Sequence, residues 1–386
     1  MKTDPGWIFE KGAVSKLLES LGFETSVIRF LDAAASKVAG DAALKRTFLQ
    51  LAGDWVAGSI PDAPAGTESE ITALIAVAGY PKMLTAHRAR EIPDSISVAT
   101  ARDLQRWITR PESADGKWEF RHLRWLGSHV HHMLLEIGRL QFIALPFGSP
   151  YRVFHAKSSL QKTIVFAEAG LECSRDGWLE KSGDGFITSY LSTPEELRGH
   201  AMDPTSGQIS HETASLPASD YNLRLSRESI ALHVHIPSGQ PLTLSDCADS
   251  LQRAENIYRR HFPELDWRAF CCTSWLLDRE LWQCLPPHSN IQGFGKLFFP
   301  LATPGNNSDQ LIERVLEGTP DWRTLTPKTS LQKAVLKHLH EGQRFRTTSG
   351  FILRTSELES ALNAQLGSPN LSEKMKLHSN PILKTL

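Results

Sequence analysis

Few of the signatures that mark a functional class are present in this chain. Its 386 residues hold only five cysteines, an odd number without Cys-x-x-Cys spacing. That excludes a disulfide-held secreted domain and fits reduced thiols in a cytoplasmic protein. Net charge is −1, with no basic stripe, so nucleic acid is not expected as a partner. No apolar run is long enough to span a membrane. The nearest, Ile71 to Ala78, falls far short, and no membrane association is expected. The first residues, Met1-Lys2-Thr3-Asp4-Pro5, lack the apolar core of a signal peptide. Internal repeats and low-complexity segments are missing as well. What remains is ordinary for a globular protein, 41% hydrophobic and 22% charged, in a chain long enough for two domains.

The first third has helical spacing: Val27, Ile28, Leu31 and Ala34; then Leu44, Phe48, Leu51, Ala52, Trp55 and Val56. Pro61, Pro64 and Gly66 mark a connector. A helix carrying Ile71 to Val77 follows, and Leu104 with Trp107 suggest another before a polar loop at Pro111 to Gly116. The segment from about His122 to Glu136 reads as a helix stopped by Gly138. From Arg139 the pattern turns to strands: Arg139 to Leu145, Tyr151 to His155, Lys162 to Ala167, Phe186 to Leu191, Ile230 to Ile236, Trp267 to Leu277 and Ile291 to Phe299. Short helices are expected at Asp278 to Cys284 and around Leu331 to Leu339. The second has Thr329 or Ser330 as its cap and Gly342 as its stop. The tail beyond Leu353 has one weak helix, Glu357 to Leu366. The order implies an α+β chain: a helical block, antiparallel strands, then strand–helix–strand–helix–strand.

One stretch stands out. The strand Ile230 to Ile236 stops at Pro237, a short loop follows (Ser238, Gly239, Gln240, Pro241), and an amphipathic helix begins near Ser245. Such a corner aims unpaired helix N–H groups at the strand end and can hold an anion, although most corners of this kind are structural turns. His233 and His235 share one face of the strand. A rival constellation is His129, His132 and Glu136, with His131 close by. On one helix face these could hold zinc or iron in a metal-dependent hydrolase. No second helix offers a matching set, and no metal is expected.

Five segments in order resemble a bacterial family of two-domain N-acyltransferases: Gly138-Arg139-Leu140-Gln141-Phe142; Leu232-His233-Val234-His235-Ile236-Pro237; Cys272-Thr273-Ser274-Trp275-Leu276-Leu277-Asp278; Ser289-Asn290-Ile291; and Thr329-Ser330-Leu331-Gln332. The likeness runs from roughly residue 25 to 352. It implies a helical N-acyltransferase N-terminal domain over 1–147, a GNAT-like mixed α/β domain over 148–352, and a tail over 353–386. It also implies transfer of an acyl group from acyl-CoA, as co-substrate, to an amine or amino-acid acceptor. The acyl-CoA would lie in a V-shaped gap between the parallel strands Ile230–Ile236 and Trp267–Leu277, with its pyrophosphate at the following helix. Ile236, Ser238, Gly239, Gln240 and Ser245 would then be the cofactor-binding residues.

The phosphate loop departs from the GNAT pattern of Arg/Gln-x-x-Gly-x-Gly/Ala. Here it is Ser238-Gly239-Gln240-Pro241-Leu242, with one glycine, a proline without an N–H, and Asp246 and Asp249 close behind. CoA binds differently, or the donor is another molecule, or binding has been lost and the domain is a non-catalytic ligand-binding or sensing protein.

Amide formation needs an unprotonated amine, donors for the thioester oxygen, and a proton for the leaving thiolate. His235 is the expected base; its alternative is a histidine bonded to core backbone. His233 is read as structural. Backbone N–H groups near His235 and Ile236 are the expected oxyanion donors. Ser274 or Cys272, two apart on the next strand, would protonate the thiolate or line the acyl pocket. A covalent role for Cys272 would need a nearby base. Arg139 and Gln141 are expected to share a face and bind substrate, or to belong to a network joining the domains; Asn290 is expected to hold substrate or cap a turn.

Overall fold

The computed structural model describes residues 4–59, 69–108, 118, 120, 122–157, 163–181, 183–304, 308–316 and 322–354. The connector at Pro61 to Gly66, the loop at Pro111 to Gly116 and the helix expected at Glu357 to Leu366 lie outside them. The chain forms two compact units. The first comprises Met1–Ala144, His235–Gln240 and Ser250–Leu265, and the second Leu145–Val234, Pro241–Asp249 and Asp266–Leu386. The first unit thus takes in two late segments, His235–Gln240 and Ser250–Leu265.

The first unit opens with α1 (Ala13–Ser20), α2 (Thr25–Gly40), α3 (Ala42–Ala57), α4 (Ser69–Ala78), α5 (Tyr80–Ala89), α6 (Asp94–Ala101), α7 (Asp103–Trp107) and α8 (Leu123–His131). Every residue of α4 from Ile71 to Ala78 is buried. The longest apolar run of the chain is therefore the axis of a helical core, since a helix apolar on all sides needs neighbours all round. Trp55, Phe48 and Leu31 pack in the same core. A hairpin follows, β1 (Leu135–Ile137) and β2 (Leu140–Pro146), antiparallel with Leu135 opposite Phe142. The expected helix from His122 to Glu136 is thus two elements. It ends at His131 because Met133 adopts φ +54°, a left-handed conformation that a helix cannot continue through. Glu136 lies on β1, so His129, His132 and Glu136 do not share a helix face. Among the described residues no group of three His, Cys, Asp or Glu side chains is arranged to hold a metal ion.

The later part of α9 (Leu244–His261) belongs to this unit, and its anchors explain why. Ser250 Oγ accepts from the Arg139 N–H at 2.7 Å, and Tyr258 Oη donates to the Phe142 carbonyl at 3.1 Å. Arg90 donates to the His261 carbonyl at 3.1 Å, stacks on Phe262 at 4.5 Å and pairs with Glu264 at 2.7 Å.

In the second unit, β3 (Tyr151–Ala156), β4 (Thr163–Ala167), β7 (Tyr190–Ser192), β8 (Glu196–Met202), β9 (Ile209–Pro217) and β10 (Tyr221–Leu225) form an antiparallel sheet. Its order is β10-β3-β4-β8-β7, with β9 also on β8. A small ladder pairs β5 (Glu172–Cys173) with β6 (Phe186–Ile187). The strand expected over Phe186 to Leu191 is therefore split between β6 and β7. β11 (Ile230–His235) runs parallel to β12 (Trp267–Ser274), which pairs antiparallel with β14 (Thr348–Leu353), and β14 pairs with β13 (Phe299–Leu301). α10 (Arg279–Gln283), α11 (Asn290–Gly295), α12 (Asp309–Val315) and α13 (Ser330–His340) complete it. The cap of α13 is Thr329, in a reciprocal capping box with Gln332, and Gly342 follows at φ +77°.

Two further expectations for this unit are corrected. Trp267 to Leu277 is strand only to Ser274, whose hydroxyl accepts the Leu276 N–H at 3.2 Å and turns the chain into a short 3-10 helix. Ile291 to Phe299 starts as α11, not as a strand. Ser289 Oγ accepts the Gln292 N–H at 3.3 Å, and Gly295 lies against the Trp282 ring, where a Cβ would come within 2.1 Å. Capping and close packing override the β-preference of Ile291 and Phe294.

Candidate active site

The parallel pairing of β11 and β12 runs from Ile230↔Trp267 to His233↔Cys271 and goes no further. β12 continues to Ser274 against β14 alone, with Ser274 opposite Thr348. Two parallel neighbours that part at their carboxyl ends leave backbone groups on both strands without ladder partners from each other. That is where a ligand can pair instead.

His233 sits at the last paired position. Its Nε2 meets the Pro146 carbonyl at 2.9 Å, and burial lowers its pKa despite that bond. It is a neutral, structurally engaged imidazole. His235, two residues on, closes β11 and packs in the first unit edge-on to Trp125, with ring centroids 4.8 Å apart.

Trp125 leads into a buried polar cluster that sequence reading did not find. Its indole N–H donates to Asp103 Oδ2 at 2.8 Å, and that of Trp107 to the same oxygen at 3.0 Å. Arg106 donates to Asp103 Oδ1 at 3.0 Å and forks onto both oxygens of Glu136 at 2.5 and 2.6 Å. Gln141 Nε2 donates to Glu136 Oε2 at 3.0 Å. His129 Nε2 stands 3.2 Å from Asp103 Oδ2, off the line of a well-formed hydrogen bond. Asp103 is 1% exposed. Burial pushes its carboxyl up, but contact with and charge from His129, then the Trp125 and Arg106 bonds, outweigh this and hold it well below the usual carboxylate range. Asp103 therefore stays ionised and fixes Trp125, the ring against which His235 rests. The i, i+3 spacing of Asp103 and Arg106, next to Trp107, is a weak trace of this cluster. Nothing in the sequence says that the carboxylate is buried.

Arg139 and Gln141 have separate partners. Gln141 is 1% exposed and bound to Glu136. Arg139 precedes β2 and donates to the carbonyls of Pro237 at 2.8 Å and Gln240 at 2.7 Å. Its guanidinium thus ties down the loop after β11, where Ile236 is half-buried, Ser238 and Gln240 are exposed, and Gly239 takes φ +96°. Planar fork geometry suits this task, because one side chain reaches two carbonyls of the same loop.

In the second unit the loop continues into α9. Thr243 caps it, its Oγ1 accepting the Asp246 N–H at 3.2 Å and standing 3.4 Å from Ser245 Oγ. On β12, Ser274 is 8% exposed. Its oxygen accepts from Leu276, so its own proton remains available to give. Cys272 is 2% exposed, and burial, with Cys247 adding, pushes its thiol up to about 12. A thiol so protonated is no nucleophile near neutrality, which speaks against a covalent role and leaves Cys272 as a buried, protonated group beside Ser274. Asn290 is exposed at the first position of α11, and the cap there is Ser289.

Comparison with known proteins adds three findings. Residues 13–132 match the N-acyltransferase N-terminal domain, and residues 134–352 match the GNAT-like C-terminal domain. No curated protein matches. Among solved structures the fold is similar to an acyltransferase in complex with CoA and 10C-teicoplanin, at 19% identity and TM-score 0.60, over 88% of this chain and 87% of that one. It is similar to an acyltransferase in complex with decanoyl-CoA at 20% identity and TM-score 0.59, over 89% and 88%. A tryptophan-to-alanine mutant of an acyltransferase with octanoyl-CoA gives 19% and 0.60, over 88% and 87%. Helical block, hairpin, parting parallel strands and the two consecutive matches all fall in the order of one architecture, and the chain belongs to the family of N-acyltransferases with a helical N-terminal domain and a GNAT-like C-terminal domain.

Proposed function

We propose that the protein moves an acyl group from acyl-CoA to the amine of a small-molecule acceptor. The observation that carries this reading is the end of β11–β12 pairing at His233↔Cys271, just before the strand–loop–helix corner. The pantetheine amides take the place of the missing ladder partners, and the phosphates lie toward the amino end of α9. The similar structures with CoA, octanoyl-CoA and decanoyl-CoA support the choice of donor. One glycine suffices in the loop because Arg139 holds its carbonyls from behind.

In the reaction, His235 takes a proton from the acceptor ammonium, directly or through water. The amine lone pair then attacks the thioester carbon, and N–H groups near His235 and Ile236 stabilise the oxyanion. The C–S bond breaks, Ser274 gives a proton to the departing thiolate, and the second proton of the attacking nitrogen passes to Ser274, so that amide and thiol leave and His235 keeps the one proton released. Arg139 and Gln141 position the loop and the polar cluster that hold His235.

Isothermal titration of the purified chain with CoA and decanoyl-CoA tests the donor. Binding of both, tighter for the acylated form, is expected; folded protein that binds neither overturns the reading. A chain that binds CoA but transfers to no amine, with His235→Ala and Ser274→Ala unchanged in ligand affinity, would instead be a sensing protein on the same scaffold.

A further inference from the structure

The second unit holds a cavity of about 250 Å³ beside the carboxyl end of β12. Its walls include Leu277 and Asp278 just after that strand, Thr348 at the start of β14, Arg279, Arg346 and Trp178. Thr348 pairs with Ser274 across the sheet, so the cavity adjoins the candidate proton donor.

Three of its lining residues carry polar atoms without partners. Arg279 Nε, Arg346 Nε and Thr348 Oγ1 are buried and make no hydrogen bond, and Thr348 is only 7% exposed. The orphaned Nε atoms go with guanidinium groups stacked on rings, but an unpartnered Thr348 hydroxyl costs roughly 1–3 kcal/mol, and at the wall of a cavity it points to a ligand that accepts its proton. The guanidinium groups are poorly neutralised. Arg346 stacks on Trp178 at 4.4 Å and has only a loose pair with Glu180 at 3.9 Å; Arg279 lies over Trp282 at 5.2 Å, with Asp203 acting at a distance. Asp278, an acidic group of the wall, is occupied elsewhere. Its Oδ1 accepts the Glu280 N–H at 3.1 Å and its Oδ2 the Arg346 N–H at 2.7 Å. Glu280, also in the wall, leaves the cavity of mixed charge. Two forked cations, the Thr348 hydroxyl and two acidic side chains, Asp278 and Glu280, match a molecule with a carboxylate and an amino group.

We propose that this cavity binds the acyl acceptor and that the acceptor is an amino acid or a molecule with an amino-acid-like end, its carboxylate held by Arg279, Arg346 and Thr348. This rests on the acyltransferase reading for its catalytic meaning, but its binding claim stands alone. Titration calorimetry of the full chain, with and without saturating CoA, compares L-phenylalanine with 2-phenylethylamine and L-alanine with ethylamine. At least one amino acid is expected to bind tenfold or more tighter than its decarboxylated partner. Arg279→Gln and Thr348→Val should each weaken it fivefold or more, while Thr348→Ser retains it and CoA affinity stays as in the wild type. Equal binding within both pairs, no binding of either amino acid, or Thr348→Val and Arg279→Gln binding like the wild type overturns the proposal. Amino-acid binding without CoA binding would sink the donor reading and leave this site standing.

Discussion

At the scale of single residues, two side chains separate chemistry from support. His235→Ala should lower kcat about 100-fold or more, the usual worth of a positioned base, and leave CoA affinity unchanged; steady-state kinetics beside CoA titration check this. Asp103 is buried and supports the site from within the first unit, anchoring Trp107, Trp125 and Arg106. Asp103→Asn breaks a buried ionic cluster and should cost about 3 kcal/mol in denaturant unfolding. Its folded carboxyl titrates below the unfolded value of about 3.9, so its contribution is complete above that pH and fades below it. The deficit of the variant should therefore shrink in acid below about pH 4; a constant deficit would deny Asp103 its ionised role. That His235 closes β11 was legible in the sequence, because a histidine at the end of a β-branched run is visible. Asp103 was not, because its burial depends on α7, α8 and β1 meeting, and no local pattern records that.

At the scale of elements, the turn between β1 and β2 controls how α9 is held. Gly138 sits at φ +66°, and a Cβ there would come within 2.6 Å of Ser250 Oγ. Gly138→Ala should cost about 2 kcal/mol, half from the left-handed backbone and the rest from displacing the hydroxyl that accepts from Arg139. Chemical denaturation would show it, and a Ser250→Ala background should relieve part of the loss. Read as a helix stop, Gly138 turns out to be a hairpin turn. The residue type was right because positive φ serves both purposes, and the element was wrong because Met133 had already ended the helix. The long helices α2, α3 and α4 were plain from apolar spacing, which local burial enforces. β8, β9 and β10 went unread, because their outward positions carry Glu212, Asn222 and Arg224, and only pairing with neighbours makes them strands.

At the scale of the whole molecule, buried histidines set the acid limit of stability. Burial, with the charge of His129 adding, lowers His87 to about 4, and its Nδ1 lies 2.9 Å from Ser97 Oγ. Unfolded histidine titrates near 6.5, so between pH 6.5 and 4 the unfolded chain binds the extra proton and stability falls as pH drops. The loss from His87 alone approaches about 3 kcal/mol by pH 4. Unfolding free energies across that range should fall steadily and less steeply in His87→Gln; a flat profile would mean that His87 titrates normally. The sequence by itself determined the helical block, the strand–loop–helix corner after Pro237 and the family's order of segments, since each is written in local spacing, capping and turn residues. Only the tertiary structure decided that β11 and β12 part after His233, that Arg139 braces the loop, that Cys272 is buried beside Cys247 and that Arg279, Arg346 and Thr348 surround one cavity. These depend on burial and on residues distant in sequence coming together, and a free energy set by desolvation has no signature in the spacing of side chains along the chain.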